Sequence, residues 1–153
     1  LWLNIASNKA PLTIEASLAK LDELSKQAIL SSGAWNPYQI FSHCAQSVEF
    51  SLSGFPEHKS EFFKHTAGHL AFSAFSSKGQ MRHSLSEPIP GAPRINSQSD
   101  IQSALNRFKI SLLDFKQFEG KLAPHFAYGE LTKQDYERAH VMHFYNHLQE
   151  IIV

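Results

Sequence analysis

One cysteine, Cys44, is all the thiol that the 153 residues offer. It cannot close an internal disulfide, and it excludes a zinc site built mainly of thiolates, so any metal here needs imidazole or carboxylate ligands. An excess of charge is also lacking: fourteen Lys and Arg face fourteen Asp and Glu, for a formal net charge of zero. With no overall positive field to hold a phosphate backbone, nucleic acid is not an expected partner. Long apolar runs are missing too, because charged residues or prolines interrupt each candidate well before the roughly 20 residues of a spanning helix. A membrane is therefore not expected as a partner either. The sequence starts at Leu1 rather than Met, which points to a processed or excised form. A cytoplasmic protein is the favoured reading, and an exported one whose signal has been removed stays open.

What is present is an ordinary globular composition, 42% hydrophobic and 12% aromatic, which fits a single domain over residues 1–153. After a polar start ending at Pro11, Ile14, Leu18, Leu21, Ala28 and Ile29 lie on one stripe of a helix running from Thr13 to Ser31. Ser32 and Gly33 end it. Asn36 followed by Pro37 supplies an N-cap and a first-turn proline for a second helix reaching about Leu52, stopped by Gly54 and Pro56. From Glu57 to Ser77, Phe62, Phe63, Leu70, Ala71, Ala74 and Phe75 recur at three and four residues, with Gly68 weakening the pattern by about 1 kcal/mol. Residues 80–99 carry prolines, a glycine and serines without periodicity, a long surface connection. Ser99 with Gln102 has the form of a capping box, and Ile101, Leu105, Phe108, Leu112 and Phe115 form the cleanest helical stripe. Thr132, with Asp135 three positions on, opens a last helix reaching Ile151. Nothing alternates with period two and no repeat is evident, so the expected class is all-α.

Chemistry concentrates in the last helix. Tyr136, His140, His143, His147 and Ile151 fall on its expected core face, three of them imidazoles. Residues 143 and 147 differ by about 40° around an α-helix and sit one turn apart, so two ring nitrogens can converge on one ion. His43 lies beside Ile40 and Ser47 on the edge of the second helix's apolar face, from which it can be aimed at the last helix. Three histidines from two helices would leave open coordination positions on Zn²⁺, Ni²⁺ or a similar ion. His65 and His69 form a rival pair of identical spacing that periodicity does not dismiss, although Lys59, Glu61 and Lys64 around it suggest a solvated edge. There is no HExxH, and Glu130 and Glu150, the nearest carboxylates, have no positional warrant as a general base. Cys44 points about 100° away from His43 and reads as a buried, inert thiol.

The stretch Pro124-His125-Phe126-Ala127-Tyr128-Gly129-Glu130-Leu131-Thr132, then Asp135-Tyr136 and residues His140 to Gln149, resembles the C-terminal signature of the DinB-like (YfiT-like) superfamily. In particular it is similar to a branch described only as a domain of unknown function. Phe41 to Ser47, with Ser51-Leu52-Ser53-Gly54-Phe55-Pro56 after it, resembles the second-helix signature of the same branch. The resemblance implies a four-helix bundle with a long crossover and an additional short helix or loop. It also implies a three-histidine metal site, which falls on His43, His143 and His147. His140, His125, Asn146 and Gln46 are then the candidates for the pocket or for support of the ligands. Relatives often carry a second His before the last ligand and an Arg after it, where this chain has Asn146 and Leu148-Gln149-Glu150.

These readings lead to a divalent-metal protein, with Zn or Ni the expected ion, acting on a small molecule as a metal-dependent hydrolase or thiol-dependent transferase. The alternative is a non-catalytic bundle that binds a ligand or another protein. A homodimer is compatible with either.

Overall fold

The computed structural model describes residues 10–153; the polar start of the chain before residue 10 lies outside the described residues. Helices α1 (Ile14–Ser25), α2 (Pro37–Ser53), α5 (Ile101–Gln117) and α6 (Lys133–His147) make up most of the structure. Between α2 and α5, a short α3 (Glu61–Phe63) passes through a π-helical segment, Lys64–Gly68, into α4 (His69–Lys78). A 3₁₀ turn, Leu148–Glu150, follows α6. The expected all-α class therefore holds, apart from one two-residue ladder in which β1 (Leu30–Ser31) pairs antiparallel with β2 (Ile151–Ile152).

Local chemistry sets most helix starts. The Thr13 hydroxyl accepts from the Ala16 amide at 3.2 Å, and Thr132 accepts from the Asp135 amide at 3.1 Å. Asn36 and Gln39 form a reciprocal capping box in front of Pro37. Helix α5 starts one residue later than the Ser99 box predicts: Asp100 Oδ1 accepts from the Ser103 amide at 3.1 Å, and Gln102 instead reaches across to the Ser25 carbonyl at 3.1 Å. A carboxylate at the N-cap also suits the helix dipole.

Two helices are shorter than their periodicity suggests. Helix α1 ends at Ser25, where the Lys26 amide tightens onto the Glu23 carbonyl and the Gln27 side chain caps that same oxygen. The chain beyond it is extended, with Ile29 buried, because residues 30–31 are drawn into the ladder with the chain end. Helix α6 ends at His147 for the same reason, since Ile151 is in that ladder.

Helix α2 packs most extensively on α5, and α6 lies against α2, α1 and α4. Their shared core holds Phe41, Phe108, Phe115 and Phe144, each at most 1% exposed, with about 1.5–3 kcal/mol of burial free energy per side chain. Arg107 clamps Glu49 with two hydrogen bonds of 3.0 and 2.7 Å between α5 and α2, and Lys116 pairs with Glu15 at 2.8 Å between α5 and α1.

The helical stretch over residues 61–78 departs most from expectation. Phe62 is 79% exposed and Leu70 67%, while the buried positions are Lys64, Gly68 and Phe72. The π-helical turn alters the register of the stripe, and the inner face is chosen by close approach. A Cβ on Gly68 would lie 1.8 Å from the Ala127 carbonyl oxygen, so only glycine lets the 125–129 turn seat there.

Candidate metal centre

The three histidines singled out by spacing come together. One ligating nitrogen from each of His43, His143 and His147 lies within 4.8 Å of the others, and the ring centroids are 4.8–5.0 Å apart. His43 is placed by α2, on the face that also buries Ile40 and Ser47; His143 and His147 are placed one turn apart on α6. The His43 and His143 Nε2 atoms are 3.0 Å apart. Nitrogens at that separation either share one proton or point at a common cation, and two ligands each about 2.0–2.1 Å from one ion sit roughly 3 Å apart.

His147 makes the case sharper. It is 1% exposed, and neither of its ring nitrogens has a hydrogen-bond partner; His43 Nδ1 is also buried and unpaired. Buried donors and acceptors are rarely left so, because each costs about 1–3 kcal/mol. Three neutral imidazoles around one point form a donor set suited to a divalent transition-metal ion, and a shared ion would take up one of the two orphaned His147 nitrogens.

Burial dominates the electrostatics. It lowers His43 to about 4, with His83 pushing in the same direction, and His147 to about 2, with His43 and then His83 adding to the effect. His143 is held well below the usual imidazole range by burial and then by His147 and His43. All three are therefore uncharged at neutral pH, the form that ligates metals.

Two aromatic neighbours were not legible from the sequence. Trp35 stacks on His147 at 6.2 Å with 10° between planes and tilts over His43 at 4.9 Å. His83 leaves the 79–100 connection to stand 5.1 Å from His143 and 5.6 Å from His147, its Nδ1 held 2.8 Å from the Ser84 carbonyl. Neither has a periodic partner. The nine histidines of the composition are the only hint that a loop might contribute one.

The cluster opens on a cavity of about 290 Å³, lined among others by His43, His83, His125, His140 and His143. His125 and His140, two of the expected pocket or supporting residues, are on its wall. Gln46 and Asn146 do not line it: Gln46 donates to the Pro93 carbonyl at 3.1 Å and holds the long connection to α2, while the Asn146 amide nitrogen is buried without a hydrogen-bond partner. Glu150 packs against Gly33. Glu130 is exposed, 3.9 Å from Lys121. Cys44 is buried and its thiol pKa is pushed up by burial, as expected for an inert side chain.

The rival pair does not assemble. His65 is 77% exposed, with Nδ1 bonded at 2.7 Å to the Glu61 carbonyl, and no third ligand joins His65 and His69 among the described residues.

Fold and site together define a mainly helical protein with a buried three-histidine cluster beside a small cavity. Residues 8–152 match the family described as protein of unknown function DUF1569, and the chain belongs to that family. Comparison with curated proteins and with solved structures returns no match. Among the described residues, no helix is long and apolar enough to cross a membrane.

Proposed function

We propose that the chain is a DinB-like four-helix bundle in which His43, His143 and His147 hold one divalent ion, Zn²⁺ or Ni²⁺, and that it is a metal-dependent enzyme acting on a small molecule. Hydrolysis and thiol-dependent group transfer are the two reaction classes this reading supports. The observation that carries it is His147, buried with both ring nitrogens unpartnered and facing two other neutral imidazoles. A bound ion supplies Lewis acidity and lowers the pKa of a coordinated water or thiol. The protein's own part is to present three uncharged ligands on two rigid helices, to cover one side with Trp35, and to leave the other side open to the cavity.

Elemental analysis of protein without a His tag tests this directly. About one equivalent of metal in the wild type, and none in His143→Ala or His147→Ala with helical content intact, is the expected result. Absence of metal even after loading with Zn²⁺ and Ni²⁺ would overturn it and leave a ligand-binding or interaction bundle. Loss of helical content in both variants would make the ion structural rather than catalytic.

A further inference from the structure

We propose that His125 is a fixed hydrogen-bond donor of this cavity, and that it receives the carbonyl oxygen of a neutral acyl compound: an amide, an ester or a thioester. The inference rests on reading the cavity as a substrate site, and it adds the class of substrate.

The donor is set by the turn that carries it. His125 and Gly129 exchange backbone hydrogen bonds of 2.8 and 3.1 Å, closing a tight loop that Gly129 permits with φ +81°. Inside that loop the Ala127 and Tyr128 amides both donate to His125 Nδ1, each at 3.1 Å. An Nδ1 that accepts two N–H groups has no room for a proton, so the ring's single proton sits on Nε2 and the imidazolium is excluded. The ring is also clamped, stacked on Tyr128 at 4.2 Å with 8° between planes and tilted 5.2 Å from Phe55.

With Nδ1 turned into its own loop, the opposite edge, carrying Nε2–H, meets the cavity. That N–H has no hydrogen-bond partner among the described residues, yet the residue is only 8% exposed. The nitrogen is reached by water in the cavity, so a ligand oxygen can replace that water at a donor already fixed in place. His140, also on the wall, is held uncharged by burial instead. The Ser51 hydroxyl is committed to the Val48 carbonyl at 2.5 Å, so at 3.0 Å it accepts the proton of His140 Nε2.

The surroundings favour a neutral acceptor over an anion. Phe126, Tyr128, Pro88 and Ile89 make the walls apolar, and the lining charges, Lys59 and Glu87, are of opposite sign. At His125 itself a carboxylate would meet one neutral donor and lining side chains of no net charge, which is expensive, whereas a carbonyl needs one good N–H.

The test uses the full ¹⁵N-labelled chain, with benzamide as the neutral acyl probe and benzoate as the anionic control. The expected result has four parts: an Nε2–H tautomer of His125 from pH 7 to pH 5; a shift of that resonance on adding benzamide; at least 10-fold weaker benzamide binding in His125→Phe; and partial retention in His125→Asn, whose amide can accept from the turn and donate to the ligand. An Nδ1–H or imidazolium ring at pH 7 in the wild type would overturn the proposal without any variant having to fold. So would no benzamide binding to the wild type, stronger binding of benzoate that is lost in His125→Phe, or undiminished benzamide binding in a folded His125→Phe. Benzamide binding through His125 in a protein that takes up no metal would sink the metal-centre reading alone.

Discussion

Two pairs of histidines in this chain share the same four-residue step, and the fold treats them in opposite ways. His143 and His147 project from α6 into a space already occupied by His43 from α2 and covered by Trp35; His65 and His69 project from the 61–78 stretch into solvent. Spacing decides only whether two nitrogens can converge. Which face is inward decides whether a third nitrogen, and a low-dielectric wall that keeps the rings uncharged, are there to meet them. On the 61–78 stretch, the inward face belongs to Gly68 and Phe72.

The contrast can be broken most forcefully at the metal. His147→Ala should lower affinity for Zn²⁺ by at least about 100-fold, more than the 10–100-fold typical of losing a supporting contact, while His69→Ala leaves it unchanged; calorimetric titration of both variants measures the ratio. Acid sharpens the comparison from the side of burial. His125 and His140 are both pushed down to about 3 by burial, so between pH 6.5 and that value the unfolded chain takes up protons that the folded one refuses. Stability is then full above pH 6.5 and falls as pH drops, by about 1.4 kcal/mol per pH unit for each group. Denaturant midpoints across pH 7 to 5 should show this descent, and a flat profile would contradict the buried neutral rings.

A smaller effect belongs to the packing face of the 61–78 stretch. Gly68→Ala sets a methyl group into the Ala127 carbonyl and should cost about 1–3 kcal/mol in chemical denaturation. Smallest of all, His65→Ala should change stability by less than about 0.5 kcal/mol, as for an exposed side chain with only a local contact; a larger loss would mean that the exposed pair has a structural role.

Much of this was legible because it depended on periodicity and caps. The Asn36-Pro37 and Thr132/Asp135 starts, the stripe from Ile101 to Phe115, and the convergence of His43 with His143 and His147 all follow from rules local to one helix or a pair of helices. The pattern fails where a distant partner decides. Residues 30–31 leave the helical register because the chain end pairs with them, and the Phe62/Leu70 stripe is turned outward because the 125–129 turn claims the Gly68 face. His83 and Trp35 belong to irregular segments, where no period marks a side chain's direction. Gln46, a candidate for the pocket or for support of the ligands, has its amide turned to the Pro93 carbonyl, a partner in an irregular segment that helical spacing does not reveal.

Trp35 gives the cluster an optical handle. The other tryptophan, Trp2, lies outside the described residues, while the Trp35 indole is stacked on His147 and within van der Waals range of His43. An ion with unpaired electrons held by those imidazoles would sit within a few ångströms of the fluorophore and drain its excited state, whereas Zn²⁺, with a filled d shell, would leave the emission bright. Quenched Trp35 emission would therefore mark a paramagnetic ion in the cluster, and undiminished emission after loading with such an ion would mean that the imidazoles do not hold it.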